Sequence, residues 1–261
     1  MRKIIFSAAL TGLLGLAGCT SINVVSQQEV QSRGNEAMAN LLGAAPLLRN
    51  AELQRYVNQV GVWVAMQSEQ PNLAWRFAVT DDKDINSYAA PPGYVLITKG
   101  LFDRLNTEAE LAAVLGHEIT HVIKGHHQKA MNAAKQRELG MGLAKFALAQ
   151  SGKSESSQQA LQGVVGGISE NYIRGLDKDD EFEADVNGMV LAARAGYNPY
   201  ALVSVLQTIG GINPKDGAVS LLFATHPSMN DRLASIDKHV GDKLERYAGG
   251  VDQTSRFTRF K

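Results

Sequence analysis

Cysteine is almost missing from this chain. There is one, Cys19, so no disulfide can form within the chain even in an oxidising compartment. Net charge is missing too. Lys and Arg together number 26, as do Asp and Glu, and that balance argues against a nucleic-acid binder, which would carry a basic excess. After residue 20 no apolar run reaches the about 20 residues that a membrane-crossing helix needs. No internal repeat is visible. What remains is an ordinary globular composition, 44% hydrophobic and 20% charged, long enough to bury a core as one large domain or at most two.

The first twenty residues, "MRKIIFSAALTGLLGLAGCT", stand apart. A basic start at Arg2 and Lys3, a short apolar stretch and then small residues make an export signal rather than a spanning helix. Leu16-Ala17-Gly18-Cys19 resembles the lipobox of bacterial lipoproteins, which implies cleavage before Cys19 and lipidation of it. An ordinary signal peptide with an incidental cysteine is the plainer alternative. Acyl chains on Cys19 would hold the protein on a membrane surface. Thr20, where Asp would signal otherwise, implies the outer membrane of a two-membrane bacterium, and hence a periplasmic location. Residues 1–18 are therefore expected to be a signal peptide and the polar residues 19–32 a tether, followed by one domain over 33–248.

Helical periodicity runs through residues 35–70 and breaks near Gly43 to Pro46, with Asn50 placed to cap the second helix. "LAWRFAVTDD" alternates like a strand, and "GYVLITKGLF" is a second strand candidate after the turn at Pro91-Pro92-Gly93. Thr107 and Glu110 make a capping box at the head of "NTEAELAAVLGHEITHVIKGHH". Leu111, Leu115, Ile119 and Val122 form its aliphatic stripe. His117 and His121 stack one above the other, about 200° around from Leu115. Helical patterns resume over residues 128–150, rich in Ala and Gly, and are expected to pack on the domain. "SGKSESSQQ" reads as a mobile turn. Further helices are expected through "EFEADVNGMVLAARAG", closed by Gly196, after Asn198-Pro199, and after "THPS". The tail, residues 249–261, is polar and expected to be loose.

Four of the six histidines lie within "GHEITHVIKGHH". Two imidazoles four residues apart on a helix converge on one point, as a tetrahedral zinc ion requires, while Glu118 between them can reach a bound water. A catalytic zinc needs a third protein ligand and an open position. Glu181 offers one, with Asp185 four residues on and so on the same helical face. Glu183, about 200° around from Glu181, is the competing carboxylate and is expected to be solvated.

His117-Glu118-x-x-His121 followed by Glu181-x-x-Ala184-Asp185 resembles the gluzincin metallopeptidases of the HtpX and CAAX-prenyl-endopeptidase type. The lipobox makes the chain similar to periplasmic, outer-membrane-associated members of that family. The resemblance implies an α+β fold, mainly helical and zincin-like, with a small sheet beside the motif helix. It implies one Zn2+ per chain held by His117, His121 and Glu181, with Glu118 as general base and Asp185 orienting a ligand imidazole. "INSYAAPPGYVLITKGLF" resembles the family's strand segment, with Asn86, Pro92 and Gly93 in place as substrate-binding candidates. Tyr94 departs from the usual second glycine there. "ATHPSMNDRLASI" resembles a late His-Pro segment ending in Arg, so that His226 and Arg232 are expected near the metal, as oxyanion stabilisers or, for His226, as a resting fourth ligand. His126 and His127 are expected to be structural or surface residues, favourable at a helix C-terminus when charged.

The activity implied is a zinc endopeptidase acting on unfolded, misfolded or misassembled envelope proteins, with envelope-assembly partners, membrane attachment through Cys19 and no nucleic acid. Two rivals stand beside it: a chaperone-like or binding module with a latched zinc site, and a purely structural lipoprotein.

Overall fold

The computed structural model describes residues 25–150 and 176–261, the side chains of 139–150 excepted. The signal-peptide, lipobox and Cys19 readings, and the turn expected at "SGKSESSQQ", lie outside the described residues.

Local chemistry starts most of the elements. Ser26 Oγ accepts the N–H of Glu29 at the head of α1 (Gln27–Ala44), and Asn50 Oδ1 accepts that of Leu53 at the head of α2 (Ala51–Ala65). Three strands follow, β1 (Arg76–Thr80), β2 (Ser87–Ala90) and β3 (Tyr94–Thr98), in the order β1-β3-β2. β1 runs parallel to β3 and β2 antiparallel to it, with Ser87 opposite Ile97. β2 therefore has one ladder edge unpaired by the sheet. Gly93, at φ 127°, closes the β2–β3 turn in a conformation that side chains disfavour.

Thr98 ends β3 and caps α3 (Lys99–Arg104) through the N–H of Leu101. The second strand candidate thus stops at Thr98, and its "KGLF" becomes helix. In α4 (Glu108–Ile123), Thr107 Oγ1 accepts the N–H of Glu110, as the capping box requires, while the Glu110 carboxylate takes the N–H of Asn106. Every residue of α4 from Glu108 to His121 is buried. Its aliphatic stripe is only one side of a helix enclosed all round. α5 (His126–Gln150) leaves after a turn at Gly125, φ 66°.

Across α4 lies α6 (Lys178–Arg194), ended by Gly196 at φ 90°. The two helices meet at glycines: a Cβ on Gly188 would lie 2.7 Å from the His117 backbone nitrogen, and one on Gly116 2.9 Å from the Gly188 carbonyl oxygen. α7 (Ala201–Gly210) starts two residues after Pro199, with Asn198 Oδ1 accepting the N–H of Tyr200. α8 (Gly217–Thr225), which its sequence pattern did not announce, leads to α9 (Met229–His239), capped by Ser228. One core joins α2, β1, β3, α4, α6, α7 and α9. The architecture is the expected one, mainly helical with a small three-stranded sheet beside the motif helix. Among the described residues no helix is long and apolar enough to cross a membrane.

Two expectations are corrected. Helix α1 begins at Gln27, inside the segment read as a polar tether, because Val25 and Val30 are buried against Met131 of α5. The tail is not loose. Phe257 in α10 (Thr254–Phe257) is fully buried and tilts onto Phe102, while Arg256 pairs with the buried carboxylate of Glu108.

Candidate metal centre

α4 delivers two imidazoles to one point, and α6 delivers a carboxylate. His117 Nε2 and His121 Nε2 stand 3.0 Å apart, and Glu181 places Oε2 3.7 Å from the former and Oε1 3.6 Å from the latter. Donors held about 2.0–2.2 Å from one tetrahedral ion lie about 3.3–3.6 Å from one another, and the separations here fall close to that range, so the three side chains could share a cation. All three residues are buried, Glu181 to 1% exposure. Among the described residues Glu181 Oε2 has no hydrogen-bond partner. An orphaned buried carboxylate oxygen is costly, and burial pushes the Glu181 pKa up to about 7. A divalent cation supplies what that oxygen lacks, and two imidazoles with one carboxylate suit a zinc-type ion.

Behind His117 stands Asp185, fully buried, whose Oδ1 accepts the Nδ1–H at 2.9 Å. That bond leaves Nε2 of His117 with its lone pair toward the site. Arg232 on α9 holds the same carboxylate, with Nε 2.9 Å from Oδ2 and a terminal nitrogen on Oδ1. Burial alone would raise the Asp185 pKa, but the guanidinium outweighs it and holds the carboxyl well below its usual range.

Glu118 is turned toward β2, where Ser87 Oγ donates to its Oε1 at 2.7 Å. Burial raises its pKa, against the pull of His117 and the Ser87 hydrogen bond. His226 caps the end of α8 with Nε2 3.6 Å from Glu181 Oε2. Its Nδ1 lies 3.2 Å from the carbonyl of Leu222, which can only accept, so Nδ1 carries the proton and Nε2 is bare. Burial lowers its pKa to about 3, and the ring is neutral.

The cleft over these groups is lined by Met38 and Leu41 of α1, Asn86 and Ser87 at the start of β2, and His127 beyond α4. Asn86 is buried and takes the N–H of Ser87 on its own Oδ1. Pro92 and Gly93 stand at the other end of β2, in its turn, with Gly93 beside Trp75, and do not line the cleft. Arg232 holds Asp185 and also lines a second cavity together with Ser87, His117, Glu118 and His226. Glu183 is exposed, as expected. Neither His126 nor His127 is a surface residue: they are 2% and 8% exposed, and His126 Nδ1 lies 2.9 Å from His121 Nδ1. The sequence reading passed over Ser87, whose only signal was its place next to Asn86, and did not connect His126 with His121.

Residues 47–240 match the family model described as peptidase family M48. Over 214 residues the chain is 28% identical to the beta-barrel assembly-enhancing protease of Escherichia coli (strain K12), covering 79% of this chain and 42% of that protein. It is 28% identical over 171 residues to the metalloprotease LoiP of the same strain, covering 62% of this chain and 60% of that one. It is also 23% identical over 211 residues to the mitochondrial metalloendopeptidase OMA1 of Arabidopsis thaliana, covering 80% and 41%. The chain thus spans less than two thirds of the length of each of these relatives. The family match takes in both helices of the site and most of the chain, and the chain belongs to peptidase family M48.

Proposed function

We propose that the chain is a zinc-dependent endopeptidase that cleaves unfolded, misfolded or misassembled proteins of the cell envelope. The observation that carries the reading is the convergence of His117, His121 and the orphaned Glu181 carboxylate on one buried point. Zinc held there would polarise a scissile carbonyl and lower the pKa of its water ligand to about 7. Glu118 accepts the proton of the attacking water at a carboxylate oxygen and passes it to the leaving amine. Ser87 keeps that carboxylate turned into the cleft. Asp185 fixes the tautomer of His117. Arg232, with Nε and one terminal nitrogen committed to Asp185, acts as a positioning residue.

The unpaired edge of β2 beside Glu118 suits an extended substrate, bound by strand addition through its main chain. Such binding tolerates many sequences, as cleavage of misfolded proteins requires. Met38 and Leu41 add apolar surface for its side chains. The E. coli relative is named for β-barrel assembly, which supports an envelope setting and partners there. With the lipobox-like start, the location we propose is the periplasm, anchored through lipid on Cys19 to the outer membrane.

A second reading has its own observation. The Nε2 of His226 faces Glu181, so His226 could hold the metal as a further ligand. A site latched in this way would leave the purified protein quiet, and the cleft acting chaperone-like as a binding module.

Metal content and casein degradation, with and without chelator, test both readings. Glu118→Gln is expected to keep the metal and lose about 10²–10⁴-fold in turnover. Casein degraded by that variant at the parent's rate would remove Glu118 as the base. His226→Ala is expected to activate if the latch holds, whereas a loss of activity would assign His226 to catalysis.

A further inference from the structure

We infer that His126, backed by Asp180 and Glu183, is the positioning residue that holds His121 in its metal-binding tautomer. The inference rests on the reading of His121 as a ligand.

His121 turns Nε2 toward Glu181 and Nδ1 the other way, 2.9 Å from Nδ1 of His126. His126 reaches this place because Gly125, at φ 66°, folds the chain back after α4. A neutral imidazole carries one proton, so two facing nitrogens share one between them. Coordination through Nε2 of His121 requires that the shared proton sit on its Nδ1. His126 then accepts with a bare Nδ1 and carries its own proton on Nε2.

Everything around that Nε2 favours the arrangement. It is buried and faces Glu183 Oε2 at 3.5 Å and Asp180 Oδ1 at 3.9 Å. These separations are too long for full hydrogen bonds, so the carboxylates act by charge, both drawing the N–H toward the first turns of α6. The chain closes on Lys129, whose Nζ lies 2.6 Å from Asp180 Oδ1. Reversing the protons would set a bare lone pair before two carboxylates. It would also put a proton on His121 Nε2, the atom whose lone pair a metal ligand needs. The two rings of the site are thus held from opposite sides, His117 by Asp185 and His121 by His126.

The nitrogen of His126 and the oxygens of Asp180 and Glu183 also lie within 4.8 Å of one another, close enough to share an ion of their own. The tautomer separates the two roles. An ion there needs Nε2 of His126 bare, while support of His121 needs it protonated.

Zinc affinity, measured by chelator competition without substrate, tests the assignment. His126→Ala is expected to lose about 10–100-fold. His126→Asn, whose Oδ1 can stand where Nδ1 stood, is expected to recover most of the loss. Thermal unfolding of the metal-free variants separates this from a folding defect. Parent-like affinity in His126→Ala, equal weakness in both variants, or a second zinc bound by the parent and lost in Glu183→Gln would each overturn the assignment. Because no activity is read, the result stands apart from the test of Glu118. If the parent bound no zinc at all, the proposed function would fall along with this inference.

Discussion

Asp185 and Arg232 form a buried ion pair in which the carboxylate also accepts the Nδ1–H of His117. The pair ties α9 to the motif helix through α6, so a residue late in the chain decides how a ring in its middle is held. Removing one partner strands the other charge in the interior, which costs about 3–5 kcal/mol. Arg232→Ala is therefore expected to lower stability by that amount in urea unfolding. Asp185→Asn keeps the shape but weakens the hold on His117, and is expected to cost about 10–100-fold in zinc affinity. Parent-like stability in Arg232→Ala would mean that the guanidinium only fills space.

Ser87 gives a prediction in pH. Its hydroxyl donates to the Glu118 carboxylate and favours the charged form, against the burial that raises the Glu118 pKa. A base must be deprotonated, so activity falls as the pH drops through its pKa. Ser87→Ala removes a lowering influence and moves that pKa up. The acid limb of the kcat/KM profile is then expected to lie at higher pH than in the parent, with the alkaline side unchanged. An unmoved or downward-shifted acid limb would show that the hydroxyl does not act on the base.

The motif helix was legible because its signals agree: Thr107 at the cap, leucines at helical spacing, histidines four apart. Glu181 and Asp185 were read from the resemblance of Glu181-x-x-Ala184-Asp185 to the family pattern, with which their four-residue spacing agrees. What failed were features that periodicity does not record. His126 was read only as a structural or surface residue at the end of the motif helix, yet the turn at Gly125 brings it to Nδ1 of His121. β2 holds only four residues, Ser87–Ala90, without the alternation that marks a strand, so Ser87 gave no sign of meeting Glu118. The tail was misjudged from its composition, because Phe257 anchors it and a single residue hardly changes an average.

That anchor can be tested against the site. The tail carbonyl of Asp252 accepts the N–H groups of Glu108 and Ala109, which open α4, and Glu108 in turn binds the hydroxyls of Tyr56 and Tyr197. Phe257→Ala is expected to cost about 3–5 kcal/mol in denaturant unfolding. His121 lies about 20 Å along the helix from Glu108, at about 1.5 Å per residue. Zinc affinity of the folded variant is therefore expected to equal that of the parent. A loss of affinity at unchanged stability would reverse this division of labour.

The contact between Gly116 and Gly188 sets how closely α6 approaches the histidines. A methyl group at residue 188 would lie 2.7 Å from the backbone nitrogen of His117 and 3.0 Å from its Cα. Backbone atoms cannot swing aside, so α6 has to move, and Glu181 and Asp185 move with it. Gly188→Ala gains about 0.5–1 kcal/mol in helix propensity but loses about 1–3 kcal/mol to overpacking. The expected result is a net destabilisation together with weaker zinc binding. Gly43→Ala, where an added methyl meets none of the described residues within 4 Å, is the control, expected to be neutral or slightly stabilising with zinc affinity intact. If Gly188→Ala bound zinc as tightly as Gly43→Ala, the backbone contact between the helices would not be what sets the distance from carboxylate to imidazole.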